Sequence, residues 1–180
     1  MIDLAELPTC TKCALSLTRQ RVVVGSGSLE SMLTIVGEAP GKTEDEGGEA
    51  FIGRSGRLLF QLVLEELDMT REQCFVTNVV KCRPPANRTP RPSEIATCQP
   101  WLEEQLRVSR ARFLLALGNT AARAVLGFTE GIGATHGRVV TLGTVQALAT
   151  YHPAAALRGG PSVVDVMRRD LAVLKKLLDP

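Results

Sequence analysis

The stretch Met32-Leu33-Thr34-Ile35-Val36-Gly37-Glu38-Ala39-Pro40-Gly41-Lys42-Thr43 decides the fold. Its first half is a short apolar run ending in glycine, the pattern of a strand buried on both faces. Its second half is a turn that carries a carboxylate, Glu38, just past the strand. The ending Gly-Lys-Thr imitates a phosphate loop, which needs four residues between its glycines so that successive N–H groups wrap a phosphate. Here three residues separate Gly37 from Gly41, and the position that would supply the missing glycine is Val36. The acidic run from Glu44 to Gly48 also argues against a helix opening at Lys42. What remains is a strand that delivers a carboxylate to its end.

Similar units follow on the C-terminal side. Ser55 precedes a helical pattern with Leu58, Leu59, Leu62, Val63 and Leu67 on one face, and residues 74–80 read as a second strand. Ser93 and Glu94 open a helix that Pro100 is expected to kink or restart. Residues 112–117 form a third strand, followed by a short helix over 121–126 stopped by Gly127. Residues 138–142 and 145–150 read as two more strands joined at Gly143, and Pro161 begins a last amphipathic helix. Strands alternating with helices predict an α/β domain with a mainly parallel sheet. Such sheets bind ligands at the carboxyl ends of their strands.

At 180 residues, 44% apolar and 22% charged, the chain is expected to be one compact domain over 1–180 with a short N-terminal arm, about 1–20. No apolar run approaches the roughly 20 residues of a membrane span, and no export signal precedes the arm, so a cytoplasmic protein without a membrane partner is expected. The net charge of +2 excludes little, but its distribution is uneven. Five acids lie between Glu38 and Glu49, which reads as a solvated loop. Between Lys81 and Arg91 stand Lys81, Arg83, Arg88 and Arg91 with no acid, threaded with prolines that pre-order the loop. A rigid basic loop suits a phosphate backbone.

In a reducing compartment cysteines are ligands more often than disulfides. Cys10-x2-Cys13 can grip one centre from a single turn, and Cys82 and Cys98 bracket the basic loop with fifteen residues between them. Zinc and an iron–sulfur cluster both accept four thiolates. Cys74, opening an apolar strand, reads as a core thiol. Phe51 stands between glycines in a polar loop, where it could stack on a flat ring. Asn78 lies inside a strand, where asparagine is disfavoured, and its amide can read one edge of a base. His152 follows the last strand directly, whereas His136 sits in a glycine-rich loop and reads as surface.

GEAPG at 37–41, TNVVKCRPPANRTP at 77–90 and HPAAALR at 152–158, with the four cysteines, resemble the family 4 uracil-DNA glycosylases. The resemblance covers almost the whole chain. It implies an α/β/α sandwich around a four-stranded parallel sheet, a monomer, and a [4Fe–4S] cluster on Cys10, Cys13, Cys82 and Cys98. It implies excision of uracil from single- and double-stranded DNA. Glu38 and Ala39 become the wall of the uracil pocket, Glu44 its neighbour, Phe51 the stacking ring, Asn78 the reader of the base edge and His152 the donor to uracil O2. Glu38 and His152 are the catalytic candidates; Arg83, Asn87, Arg88 and Arg158 are the DNA-binding ones, with the loop from His152 to Arg158 entering the minor groove. Ala39 stands where family 1 enzymes carry a water-positioning aspartate. Family 5 enzymes have a different first motif without the glutamate, and the histidine loop of a covalently trapping relative is missing. Lys42 and Lys81 read as exposed or loop-facing cations, so a monofunctional hydrolase is expected rather than a lyase. The competing readings are a DNA-binding module with structural zinc and a glycosylase for another deaminated base.

Overall fold

The computed structural model describes residues 2–178, so the outermost ends of the expected 1–180 unit lie outside it. An arm of two 3-10 helices, Leu4–Thr9 and Ala14–Leu17, leads to strand β1 (Leu33–Gly37) and the short helix α1 (Lys42–Gly47). Then come α2 (Arg54–Leu67), β2 (Cys74–Asn78), α3 (Pro92–Val108) and β3 (Phe113–Leu117). They are followed by α4 (Gly118–Leu126), α5 (Ile132–Thr135), β4 (Val139–Leu142) and β5 (Val145–Thr150). Helices α6 (Pro153–Gly159) and α7 (Pro161–Leu178) close the described chain.

The strand order is β2-β1-β3-β5-β4. The first four strands are parallel, as expected, but the sheet has five strands, because β4 turns at Gly143 and pairs antiparallel with β5. A tight hairpin can only return antiparallel, which makes β4 an added edge. Side chains of the parallel strands alternate between two cores. Leu33, Ile35, Phe113, Leu115, Leu117 and Leu148 face one layer, with Leu59, Leu62 and Val63 of α2 and with Met167, Leu171 and Leu174 of α7. Val36, Leu114, Ala116, Ala147 and Ala149 face the other, with Trp101 and Leu102 of α3, Ala121 of α4, and Leu7 and Leu15 of the arm. The result is a three-layer α/β/α sandwich. A fully buried leucine contributes about 1.5–3 kcal/mol, and Leu7 and Leu15 anchor the arm in the second core.

Three local expectations are corrected. Helix α3 does not restart at Pro100 but continues through it, with Cys98, Trp101 and Leu102 buried on either side of the proline. A helix does open at Lys42, and the acidic run is not a solvated loop. Glu44 and Asp45 are buried and serve as backbone acceptors: Asp45 Oδ1 takes the N–H of Gln20 at 2.9 Å. The segment after His152 is helical rather than a loop, with Pro153 at its first position and Gly160 after its end, the favoured punctuation of a helix. Among the described residues no helix is long and apolar enough to cross a membrane.

Candidate active site

Parallel register brings the strand ends to one edge: Gly37 lies beside Asn78, and Leu117 beside Thr150. Residues just past each strand therefore surround a cleft of about 500 Å³, a size suited to a small-molecule group. The connection leaving β1 runs to β2 on one side and the connection leaving the adjacent β3 runs to β4 and β5 on the other, so the cleft lies at the topological switch point between β1 and β3. Glu38, Ala39, Glu44, Phe51, Asn78, Asn87, Arg88, His152 and Arg158 all line it. Arg83 stands behind the wall, its Nε donating to Asn87 Oδ1 at 2.7 Å.

Phe51 is buried at φ 56, a left-handed conformation that costs a non-glycine residue about 1–3 kcal/mol. The surroundings enforce it. Arg71 donates to the carbonyls of Ala50 and Phe51, to Glu49 and to Ser26 Oγ. Gly56 of α2 passes so close to the Phe51 carbonyl that any Cβ there would collide with it. The Phe51 ring lies 6.0 Å from the His152 ring. Gly37 is glycine because a Cβ would strike the Phe51 ring and come within 2.5 Å of Asn78 Oδ1.

Asn78 ends β2 and is buried, and its Oδ1 has no hydrogen-bond partner among the described residues. A buried acceptor left bare costs about 1–3 kcal/mol, which a donor from a ligand recovers. His152 caps α6, and its Nδ1 accepts from the N–H of Ala154 at 3.2 Å. The neutral ring therefore carries its proton on Nε2. Burial, helped by the charge of Arg158, pushes the His152 pKa down to about 4, so the ring is neutral at pH 7.

The two carboxylates differ. Glu38 is half-buried and accepts a hydrogen bond from Thr120 Oγ1, across the switch point. Glu44 is committed to the loop: its Oε1 takes the N–H of Gly53 at 2.7 Å. Arg88 is paired with buried Glu94 at 2.7 and 2.8 Å, and the pair holds the Glu94 pKa down to about 2.

Cys10, Cys13, Cys82 and Cys98 line one small pocket with Arg19, Lys81 and Trp101. Arg19 donates to Cys82 Sγ at 3.5 Å and to the Cys10 carbonyl at 2.7 Å. Among the described residues no metal-ligating side chains are grouped as they would be around a single ion. Four thiols lining one pocket with three basic side chains, Lys12, Arg19 and Lys81, are a donor set that fits an anionic thiolate-bound centre. Cys74 is apart from them, buried in the other core, where desolvation raises its pKa to about 12.

Two residues stand differently from expectation. His136 is not free surface: its Nδ1 lies 3.0 Å from buried Asp170, which also accepts from Thr150 Oγ1 at 2.6 Å, and its ring contacts Tyr151. Lys81 is not exposed but fully buried, and desolvation lowers its pKa to about 7. Sequence reasoning missed Arg71, Thr120, Lys81 and Leu157, the last an exposed leucine next to Arg158 of the cleft lining. Only Lys81 carried a signal, as a lysine closing the apolar run Val79-Val80.

The fold that sets Phe51, Asn78 and His152 around this cleft has a known class: residues 24–172 match the model of the uracil DNA glycosylase superfamily. The type-4 uracil-DNA glycosylase of Pyrobaculum aerophilum is 38% identical over 187 residues, covering 97% of this chain and 94% of the relative. That of Thermotoga maritima is 42% identical over 151 residues, covering 83% and 78%. A type-5 uracil-DNA glycosylase of Pyrobaculum aerophilum is 36% identical over 146 residues, 71% of this chain and 63% of the relative. The chain belongs to the type-4 uracil-DNA glycosylases.

Proposed function

We propose that this chain removes uracil from single- and double-stranded DNA by hydrolysing the N-glycosidic bond, acting in the cytoplasm as a monomer whose whole length is one unit. The observation that carries the reading is the bare, buried Asn78 Oδ1 beside the Phe51 ring. A base inside a duplex is out of reach, so the nucleotide is flipped out at a cost of a few kcal/mol. Stacking on Phe51 offsets about 1–3 kcal/mol of this. Exposed Leu157 suits the gap left in the stack, and Arg158 with the Arg83–Asn87–Arg88 loop suits the phosphates on either side.

As the bond breaks, negative charge develops on uracil O2 and positive charge on the sugar. The Nε2–H of neutral His152 donates to O2, stabilising charge that appears only in the transition state. Glu38, fixed by Thr120 and open to the cleft, positions the water and faces the cationic sugar. Glu44 shapes the pocket through Gly53. With Ala39 where an aspartate could stand, Glu38 is the carboxylate left for the water. The direct test is incubation with a uracil-containing oligonucleotide followed by alkali: cleavage at the uracil position supports the reading, and an intact strand refutes it.

Cys10, Cys13, Cys82 and Cys98 hold a [4Fe–4S] cluster in this reading, which serves as a cross-link between the arm, the basic loop and α3. Serine at Cys98 is expected to bleach the yellow-brown protein and lower its melting temperature, whereas serine at Cys74 leaves the colour intact. Anaerobically purified protein that contains zinc and no iron contradicts the assignment.

The product is an intact abasic strand. A lyase needs an amine that reaches the sugar, and Lys81 is buried, does not line the cleft, and spends its ammonium on Thr77 Oγ1, the Asn78 carbonyl and Gln105 Oε1. Borohydride added during turnover should trap no protein–DNA adduct; a trapped band on a denaturing gel overturns this.

A further inference from the structure

Among the described residues, Lys81 is the largest polar side chain that the fold buries completely. Its Nζ donates to Thr77 Oγ1 at 2.8 Å, to the Asn78 carbonyl at 2.6 Å and to Gln105 Oε1 at 2.7 Å, so its three protons have three partners. None of these partners is a carboxylate. Burying an ammonium among uncharged acceptors is expensive, and an apolar side chain would fill the same space at less cost.

The geometry shows what the ammonium holds. The peptide joining Asn78 to Val79 is gripped at both ends. Its N–H donates to the Gly37 carbonyl at 2.9 Å, and its C=O accepts from Lys81. That plane sets the direction of the Asn78 Cα–Cβ bond and hence the place of Oδ1 over Gly37. Gln105 of α3 supplies a fixed anchor, since its Nε2 donates to the Val24 carbonyl at 2.7 Å and turns Oε1 towards Lys81. Lys81 also lines the pocket of the four cysteines, so one side chain spans the thiol site and the base reader.

We propose that Lys81 is a positioning residue for base recognition: it pins the Asn78 peptide so that the amide meets the base edge in the reading pose. The inference rests on Asn78 being the base reader. Lys81 itself touches neither base nor DNA.

The test is binding of free uracil, which uses the reader, beside binding of an oligonucleotide carrying a tetrahydrofuran abasic analogue, which has no base to read. Lys81→Met keeps the volume and removes the donors. It is expected to weaken uracil binding at least about tenfold while abasic-DNA affinity stays within about twofold. Uracil binding at the wild-type level, or equal weakening towards both ligands, overturns the proposal. Should Lys81→Met not fold, Thr77→Val decides: removing one acceptor should weaken uracil binding roughly threefold with abasic-DNA binding unchanged, and no change overturns the proposal. If the wild-type protein itself binds no uracil, the reading of Asn78 fails, which is a separate result.

Discussion

Replacing His152 with alanine is expected to slow uracil excision by about 10²–10³-fold, the usual loss on removing one donor to a developing oxyanion. Binding of abasic DNA should change little, because the donor acts on the base. The cap of α6 is lost as well, a cost of about 1 kcal/mol that shows as a lower melting temperature and not as a slower chemical step. The pH profile is the sharper readout. With its pKa held near 4, wild-type His152 should give no inflection near 6.5. If charged histidine were the donor, activity would fall as pH rises through that range. Stability follows the same group with a definite sign. Between about 4 and 6.5 the unfolded chain binds this proton and the folded one does not, so His152 makes stability fall as pH drops through that window. Single-turnover rates from pH 5 to 8 that fall along a titration centred near 6.5 contradict the neutral-donor assignment.

Asn78→Asp should lower uracil excision about tenfold or more. Uracil shows an N3–H donor between carbonyl acceptors, so the asparagine oxygen accepts from N3–H while its amide donates to O4. Aspartate keeps the size and loses the donor, and its carboxylate repels O4; a bidentate mismatch costs about 1–3 kcal/mol. Cytosine presents an N4 amino donor instead, so the same variant should gain weak cytosine excision. An asparagine that merely shapes a turn tolerates aspartate. Hence a folded Asn78→Asp protein that excises uracil at the wild-type rate refutes the reader and the placement of the base.

The parallel sheet was legible because its strands are buried on both faces and read as continuous apolar runs, as in Leu33–Gly37 and Phe113–Leu117. Phe51, Asn78 and His152 could be found because each is a residue type out of place where it stands. The antiparallel edge β4 was visible as a strand joined to β5 at Gly143, and the four-strand expectation came from the family resemblance, which left this added edge out. Helix α6 escaped because seven residues carry too few turns for a period to show. The burial of Lys81 and the embrace of Arg71 depend on acceptors distant in sequence, Gln105 and Ser26 among them, which no local pattern connects. The pairing of His136 with Asp170 across 34 positions is hidden for the same reason.

The groups assigned to the water, the base edge and O2 each come from the end of a different parallel strand, Glu38 after β1, Asn78 at the end of β2 and His152 after β5, while the stacking ring of Phe51 comes from the loop between α1 and α2. Parallel strands cannot be joined by hairpins, so these contacts close loops of tens of residues and form late and slowly in folding. The wall that residues 38–78 supply lacks its O2 donor until β5 has joined the sheet and brought His152 to the same edge. A nascent copy without its last strand therefore has no complete pocket with which to pull bases out of a genome, and the ability to damage DNA arrives only with the finished sheet.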